Sequence, residues 1–400
     1  MNFFSNLQPA TADPLMRVMR AFAADARPGK VNLGVGIYYD AEGRIPVPKA
    51  VKIAEERLKL RQSSWPYLLA EGLAELREGA ARLAFGDRLR GVSERISVTQ
   101  TLGGTGAIRL GAELIKLLSP EAEVAISRPS WPNHRAIFSA VGLPVSEYAY
   151  HDPLANGVAF DAMLVDIARL PAGSVVVLHG CCHNPTGSDL TSEQWAELGN
   201  LLSRRRLVPF VDMAYQGFGT GFEADAEPVR QLADQVGSLF LAMSFSKSFS
   251  LYGERVGALC VVTNSAREAD LAGQQTRVIT RALHSNPPTH GALLVCQIVG
   301  DPELRSDWLA ELETMRQRIN DMRQQLAERL HRGNHPRDFS FLLDQRGLFS
   351  YSGLATTQIT RLREEFAIHA VDDGRLCMAA LNAGNVDTVA DAIRLVSMAA

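Results

Sequence analysis

Lys247 stands in the string SFSKSFS and is the last of six lysines in the chain, after Lys30, Lys49, Lys52, Lys59 and Lys116; the rest of the 41 basic residues are arginines. A lysine drawn out of water loses hydration, its pKa falls, and the neutral amine becomes a nucleophile that forms an imine with an aldehyde. The alternative is a lysine that carries its charge to the surface, which the scarcity of lysine elsewhere makes less attractive. In LVPFVDMAYQGFG, Asp212 closes an apolar run and Tyr215 follows three residues on. A carboxylate at the end of a buried strand has a positional argument for binding a ligand, with a helix N-cap as its other use.

Two further strings carry chemistry. SVVVLHG runs into CCHNPTG, where Asn184 before Pro185 marks a turn and offers an amide donor and acceptor. His183 is expected to make a structural hydrogen bond rather than bind zinc, because no second His or Cys stands at zinc spacing; no metal is expected. Cys181 and Cys182 read as small core residues. RISVTQ leads into Gly103, Gly104 and Thr105 and then a helical pattern. Glycines at a helix mouth let backbone N–H groups approach an anion, although a plain tight turn uses the same residues.

A phosphate cradle, a carboxylate, a phenol with an amide, and a solitary lysine at neighbouring strand ends are together what pyridoxal 5'-phosphate demands. It needs an anchor for its phosphate, a partner for its pyridinium nitrogen, donors to its 3-oxygen and an imine-forming amine.

The elements that must position these groups follow from periodicity. Short apolar runs (EVAIS, SVVVLH, LVPFVD, SLFLAMSF, GALCVV) alternate with amphipathic stretches such as TSEQWAELGNLLSRRR, the pattern of an α/β protein whose mostly parallel sheet is covered on both faces. Leu309, Leu312, Met315, Ile319, Met322, Leu326 and Leu330 recur three or four apart in a long one-sided helix, with Gly333 and Pro336 as stop signals. We expect an N-terminal arm over residues 1–12, a large domain over 46–308, and a smaller domain built from 13–45 and 309–400.

Bulk properties narrow the function. A chain of 400 residues, 46% hydrophobic, is large enough for two domains. A net charge of −3 without long single-sign runs gives no footprint for nucleic acid or an anionic membrane, so small molecules are the expected partners. Five cysteines, an odd number in apolar surroundings, argue against a disulfide framework and for a reducing cytoplasm. No apolar run is long enough to span a bilayer, and no leader pattern opens the chain.

The same strings carry a resemblance. VNLGVGIYYD, HGCCHNPTG, SFSKSFSLYGERVGA, SNPPTHGA, LREEF and DGRL resemble, over the full length, the class I aminotransferases in the branch of aspartate and aromatic-amino-acid aminotransferases. The resemblance implies a fold type I pyridoxal-phosphate-dependent transferase, with a large domain of mostly parallel sheet flanked by helices and a smaller α/β domain. It further implies that Lys247 carries the cofactor through an imine, that Asp212 keeps the pyridine nitrogen protonated with His134 behind it, and that Tyr215 and Asn184 bond the 3-oxygen. Trp131 would stack on the ring. Gly103, Gly104, Thr105, Ser244 and Arg255 would hold the phosphate, joined by Tyr67 from a partner subunit. For substrate, Arg375 would grip the α-carboxylate, Gly36 would close over it, and Arg281 would reach across a homodimer to a side-chain carboxylate.

Within that branch, YLLAEGL, QTLGGTGAI, LDQRGLFSYSGL and GRLCMAALN look more like the aromatic-amino-acid members. This implies transfer from tyrosine and phenylalanine to 2-oxoglutarate, with aspartate also accepted; the alternative is an aspartate aminotransferase. Two positions depart from the family pattern, His284 where tyrosine is expected and Ala380 where glycine is expected. The match begins near residue 13, so no DNA-binding segment of an aminotransferase-like regulator is expected before it.

Overall fold

The apolar runs form one seven-stranded sheet because each is buried on both faces. In the computed structural model, which describes residues 3–5, 7–8, 13–61, 64–332 and 336–398, its strands are β1 (Ile96–Leu102), β2 (Val124–Arg128), β3 (Val145–Ala149), β4 (Val175–His179), β5 (Val208–Met213), β6 (Leu239–Ser244) and β7 (Val256–Val262). Their order is β1-β7-β6-β5-β4-β2-β3. All neighbours are parallel except β7, which is antiparallel to both β6 and β1. The sequence reading missed β3, whose residues are mostly half-buried; at the sheet edge it lacks the fully apolar text of an inner strand.

This topology brings six of these strand ends to one edge. The parallel strands β1, β2, β4, β5 and β6 deliver their carboxyl ends there, and the reversed β7 delivers its amino end. Register aligns them, with His179 opposite Asp212, Asp212 opposite Ala242, and Gly257 opposite Ser244. Gly257 has to be glycine: a Cβ there would lie 2.5 Å from the Met243 carbonyl oxygen and 2.6 Å from the Gly103 carbonyl carbon. The close approach lets β7 pass beside the turn at Gly103.

Helices cover both faces. Helix α1 (Gly103–Leu118) packs its buried side, including Ile108, Leu110 and Leu114, against β6 and β7. Helix α2 (Ser192–Arg205) lies on the opposite face and starts with a capping box in which Thr191 and Gln194 exchange side-chain and backbone hydrogen bonds. Helix α3 (Pro302–His331) is the long one-sided helix. It buries Leu312, Met315, Ile319, Met322, Leu326 and Leu330 as expected, and adds Leu304 and Trp308. It begins at Pro302 rather than Leu309, because Asp301 Oδ1 accepts the N–H groups of Glu303 and Leu304 at 3.0 and 3.1 Å. The expected Gly333 stop and most of the expected 1–12 arm lie outside the described residues.

The N- and C-terminal parts are tied together. Val31–Asn32 pairs in parallel with Ile368–His369, and Phe349–Tyr351 pairs antiparallel with Arg375–Cys377. These ties support our proposal that residues 13–45 and 309–400 form one smaller domain beside a sheet domain over 46–308.

Trp308 links α3 to the Lys247 turn. Its indole Nε1–H donates to the Ser248 carbonyl at 2.7 Å, and its ring stacks on Phe249 with centroids 4.2 Å apart. Trp308→Phe removes the donor and strands a buried carbonyl, so it should lower unfolding stability by about 1–3 kcal/mol. Trp308→Ala, which also opens a cavity, should cost about 3–5 kcal/mol; urea midpoints of the two variants check both values.

Candidate active site

A cavity of about 250 Å³ opens at the shared strand edge. Gly104 and Thr105 enter it after β1, Trp131 after β2, His179 and Asn184 at and after the end of β4, Asp212 and Tyr215 from β5 and its following turn, and Ser244, Ser246 and Lys247 from β6 and its turn. Arg255 enters just before β7. Leu15, Val35, Gly36, Phe349 and Arg375 close the cavity from the terminal segments.

Lys247 is half-buried here. Burial lowers its amine from the ordinary 10.5 to about 8; Asp212 pulls it back up, while the Arg255 and Arg375 charges push it down. Its Nζ lies 4.8 Å from the centre of the Tyr215 ring. Asp212 is buried, which by itself raises a carboxyl pKa, but the His134 hydrogen bond and the neighbouring positive charges outweigh burial and hold it below the usual value. Burial raises the Tyr215 phenol, so it stays protonated and able to donate.

Behind Asp212 runs a chain of hydrogen bonds that reaches back to one backbone group. The Asn184 N–H can only donate, and its partner is His179 Nδ1 at 3.4 Å. His179 therefore carries its proton on Nε2 and donates to Ser130 Oγ at 3.4 Å. Ser130 Oγ is also hydrogen-bonded to His134 Nδ1 at 2.9 Å, and His134 Nε2–H donates to Asp212 Oδ2 at 3.0 Å. His179 and His183 both have pKa values well below the ordinary value, first through burial and then through the nearby imidazoles, which suits neutral rings at these two positions. His183 bonds Ser127 and Thr186 and stacks on Tyr150 at 3.9 Å, the structural role expected of it.

Two parts of the cavity suit anions. Gly104 and Thr105 stand at the N-terminus of α1; a Cβ on Gly104 would press on Ser244 Cβ at 3.1 Å. Gly103 turns the chain with φ +65°, and the Arg255 guanidinium fills the space where its Cβ would stand. Arg255 Nη1 is held by Ser246 Oγ and the Tyr252 carbonyl, both at 3.0 Å. At the other end, Arg375 donates to Asn184 Oδ1 at 3.0 Å and the Gly34 carbonyl at 2.9 Å, and lies 4.2 Å from the Phe349 ring centre. Its Nε is buried with no partner among the described residues. A buried donor left unpaired points to a ligand acceptor, and a guanidinium fork matches a carboxylate.

An aldehyde-reactive amine, a carboxylate backed by imidazoles, a helix-end cradle and a free guanidinium edge thus surround one space. The family profile described as "Aminotransferase class I and II" matches residues 28–393. The chain belongs to this aminotransferase family. It is similar to the aspartate aminotransferase of Pseudomonas aeruginosa (50% identity, covering 98% of this chain and 99% of the relative). It is also similar to the aromatic-amino-acid aminotransferase of Escherichia coli (44%, covering 98% and 100%). Among solved structures it matches the aromatic-amino-acid aminotransferase of Burkholderia pseudomallei covalently bound to pyridoxal phosphate, with a TM-score of 0.96, 49% identity, and coverage of 99% of this chain and 100% of that one.

Most residues assigned from this aminotransferase's sequence meet at the cavity: Gly36, Gly104, Thr105, Trp131, Asn184, Asp212, Tyr215, Ser244, Lys247, Arg255 and Arg375 line it. His134 and Gly103 stand one layer behind. Tyr67, 93% exposed, and Arg281, also exposed, do not line the cavity of their own chain. Neither do His284 and Ala380. Sequence reasoning missed His179, Ser246, Tyr252, Val35, Leu15 and Phe349. Ser246 lies inside SFSKSFS and His179 ends an apolar strand, so both carried a positional signal; Phe349 lies inside LDQRGLFSYSGL, whose likeness assigned it no role, and Leu15 lies in no quoted string.

Among the described residues, Cys181, Cys182 and Asp225 bring potential metal-ligand atoms within 4.8 Å. The Asp225 oxygens are already taken by the N–H groups of Gly217, Gly219 and Thr220, and all five cysteines are free.

In cofactor-free protein the Lys247 amine should titrate near pH 8. Its reductive alkylation by a small aldehyde should then quicken about tenfold per pH unit below that value and level off above it. Asp212→Asn removes the carboxylate that favours the ammonium, so the midpoint should move lower; peptide mass mapping across a pH series reads both.

Proposed function

We propose that this aminotransferase binds pyridoxal phosphate and moves the amino group of tyrosine and phenylalanine to 2-oxoglutarate, accepting aspartate as well. The observation that carries the reading is the half-buried Lys247 amine, lowered to about 8, in one cavity with the Asp212 carboxylate. The residues present fit the cofactor: the unpaired Arg375 Nε answers a substrate carboxylate, and the Gly103–Thr105 turn answers a phosphate. When bound, pyridoxal phosphate supplies an aldehyde for the amine exchange and a pyridinium ring that draws electrons from the substrate's Cα.

The chain's own groups do the rest. Asp212, kept ionised by the His134 hydrogen bond, holds a proton on the pyridine nitrogen. The Tyr215 phenol and the Asn184 amide donate to the 3-oxygen, Trp131 covers the ring face, and Gly104, Thr105, Ser244 and Arg255 hold the phosphate. Arg375 orients the substrate through its α-carboxylate, with Gly36 and Phe349 beside it. Lys247 Nζ would take the proton from the substrate's Cα and deliver it to C4′, the cofactor's former aldehyde carbon, as base and then acid.

Leu15, Val35 and Phe349 close the cavity near Arg375, an apolar wall that supports an aromatic side chain. The aspartate reading draws on Arg281. Trp65, Tyr67 and Leu69 are exposed, as are Val278 and Leu283 on the helix Ala266–His284 that carries Arg281, and exposed apolar groups of this kind support a homodimer in which Tyr67 and Arg281 serve the partner's cavity. No described helix is long and apolar enough to cross a membrane, and five free cysteines support a reducing cytoplasm.

Lys247→Ala should lower turnover by at least about 10³-fold, measured as coupled 2-oxo acid release, with cofactor content determined in parallel. For substrate, kcat/KM should favour tyrosine and phenylalanine over aspartate; a strong preference for aspartate selects the alternative. Arg281→Ala should reduce kcat/KM for aspartate by about 10²-fold, the worth of a charge-assisted hydrogen-bonded pair, and leave phenylalanine nearly unchanged.

A further inference from the structure

Asp189 lies outside the cavity, yet its carboxylate holds the turn that carries Asn184. Oδ2 accepts the Cys182 N–H at 2.8 Å and Oδ1 accepts the His183 N–H at 2.9 Å. Neither N–H takes another partner among the described residues. Cys182 has φ +52°, a left-handed backbone that residues with a Cβ adopt reluctantly and that surrounding structure has to enforce. Asn184 comes directly after this pair, and its Oδ1 receives the Arg375 Nη1 hydrogen at 3.0 Å. A path of direct hydrogen bonds and a short stretch of backbone therefore runs from Asp189 to the guanidinium.

We propose that Asp189 is a positioning residue for substrate: by fixing the Cys182–His183 backbone it sets Asn184, and through Asn184 the Arg375 fork that grips the α-carboxylate. The proposal rests on the reading of Arg375 as the carboxylate clasp.

The surroundings give the carboxylate a distinct signature. Asp189 also lines a second cavity, of about 540 Å³, which gives protons a route to it from the outer side of the turn. Asp225, Glu223 and Glu227 line that cavity together with Arg230 and Arg346, and the Tyr150 phenol feels the Asp189 charge from the sheet side. Burial raises Asp189 from 3.8 to about 6, against the pull of the two N–H groups and Arg346 and with a smaller push from Asp225. A carboxyl whose folded pKa is raised supports the fold at low pH and loses that support as pH rises through about 6. Holding two N–H groups works the other way, since the ionised carboxylate is the better double acceptor. Asp189 therefore trades folding stability for placement of Asn184, and the two effects run in opposite directions with pH.

The test uses cofactor-loaded wild type and Asp189→Asn, with 3-phenylpropanoate as an unreactive aromatic carboxylate. Its dissociation constant is measured by calorimetry at pH 8 and pH 5, and thermal midpoints are recorded under the same conditions. At pH 8 the substitution should weaken binding about tenfold, the worth of one hydrogen bond to a charged group. At pH 5, where wild-type Asp189 is protonated, the gap should close to within about twofold. The wild-type midpoint should meanwhile gain on that of the variant as pH falls. Equal affinities at pH 8, or a binding loss that follows the midpoint difference at both pH values, overturn the proposal. If Asp189→Asn gives no folded protein, Asp189→Glu takes its place: its longer arm should show the same loss at pH 8, and unchanged affinity there overturns the proposal. Arg375→Lys serves as the control. If it leaves probe binding intact, the clasp reading itself fails; if it weakens binding while Asp189→Asn does not, the Asp189 proposal alone fails.

Discussion

Burial pulls the Lys247 amine down to about 8 while the Asp212 carboxylate pulls it back up, and this balance exists because both side chains leave adjacent strands at the same edge of the sheet. In water the two charges would hydrate separately and interact weakly; inside the cavity each sets the protonation of the other. The sheet is what makes the pairing permanent. Register fixes Asp212 opposite Ala242, and the Lys247 turn begins where β6 ends. The reversed β7 is needed for the same reason, because it brings Arg255 to the edge where the parallel strands bring their carboxyl ends.

Keeping Asp212 ionised out of water requires a donor, and His134 Nε2–H, at the end of the chain from Asn184, provides one. An imidazole can bond through both ring nitrogens, so one chain links the Asn184 backbone N–H through His179, Ser130 and His134 to Asp212. Asn184 thus takes part in two systems. Its backbone joins the imidazole chain, and its side chain holds Arg375 at the opposite wall of the cavity.

Much of this was readable in the sequence, for physical reasons that also explain what was not. Lys247, Asp212 and Asn184 follow strands so apolar that their ends are visible as changes of composition, and the Gly103–Thr105 turn shows as paired glycines at the mouth of a helical pattern. Inner strands announce themselves in this way; β3, at the edge and partly solvated, does not. The start of α3 hid in the capping geometry of Asp301, since the apolar repeat that gave the helix away becomes regular only farther along. Phe349, Leu15 and the Trp308 contact with Ser248 join segments far apart in the chain, and no local pattern encodes such contacts. Asp189 has the same character: in the text it is one acidic residue after PTGS, and its meaning comes from two N–H groups that turn back toward it. The family resemblance supplied roles for Tyr67 and Arg281 that a single chain does not display, because both point outward.

The cavity also joins two kinds of support. Residues that follow the sheet strands are held by register and cannot shift without breaking ladder hydrogen bonds. Arg375 and Phe349 sit instead on a short two-stranded ribbon, braced by the buried Arg323 of α3, which donates to Ser350 Oγ at 3.2 Å. Arg323 faces no carboxylate there, and burial brings its pKa down to about 10, so the brace is a buried cation satisfied by neutral acceptors. The link between the ribbon and the sheet edge is then Arg375 itself, shared between Gly34 and Asn184. A substrate carboxylate that bonds the free Nε adds a third acceptor to the same planar fork, and it can do so without displacing either protein partner because a guanidinium carries five N–H donors. Substrate binding can therefore tighten the union of ribbon and sheet edge rather than compete with it.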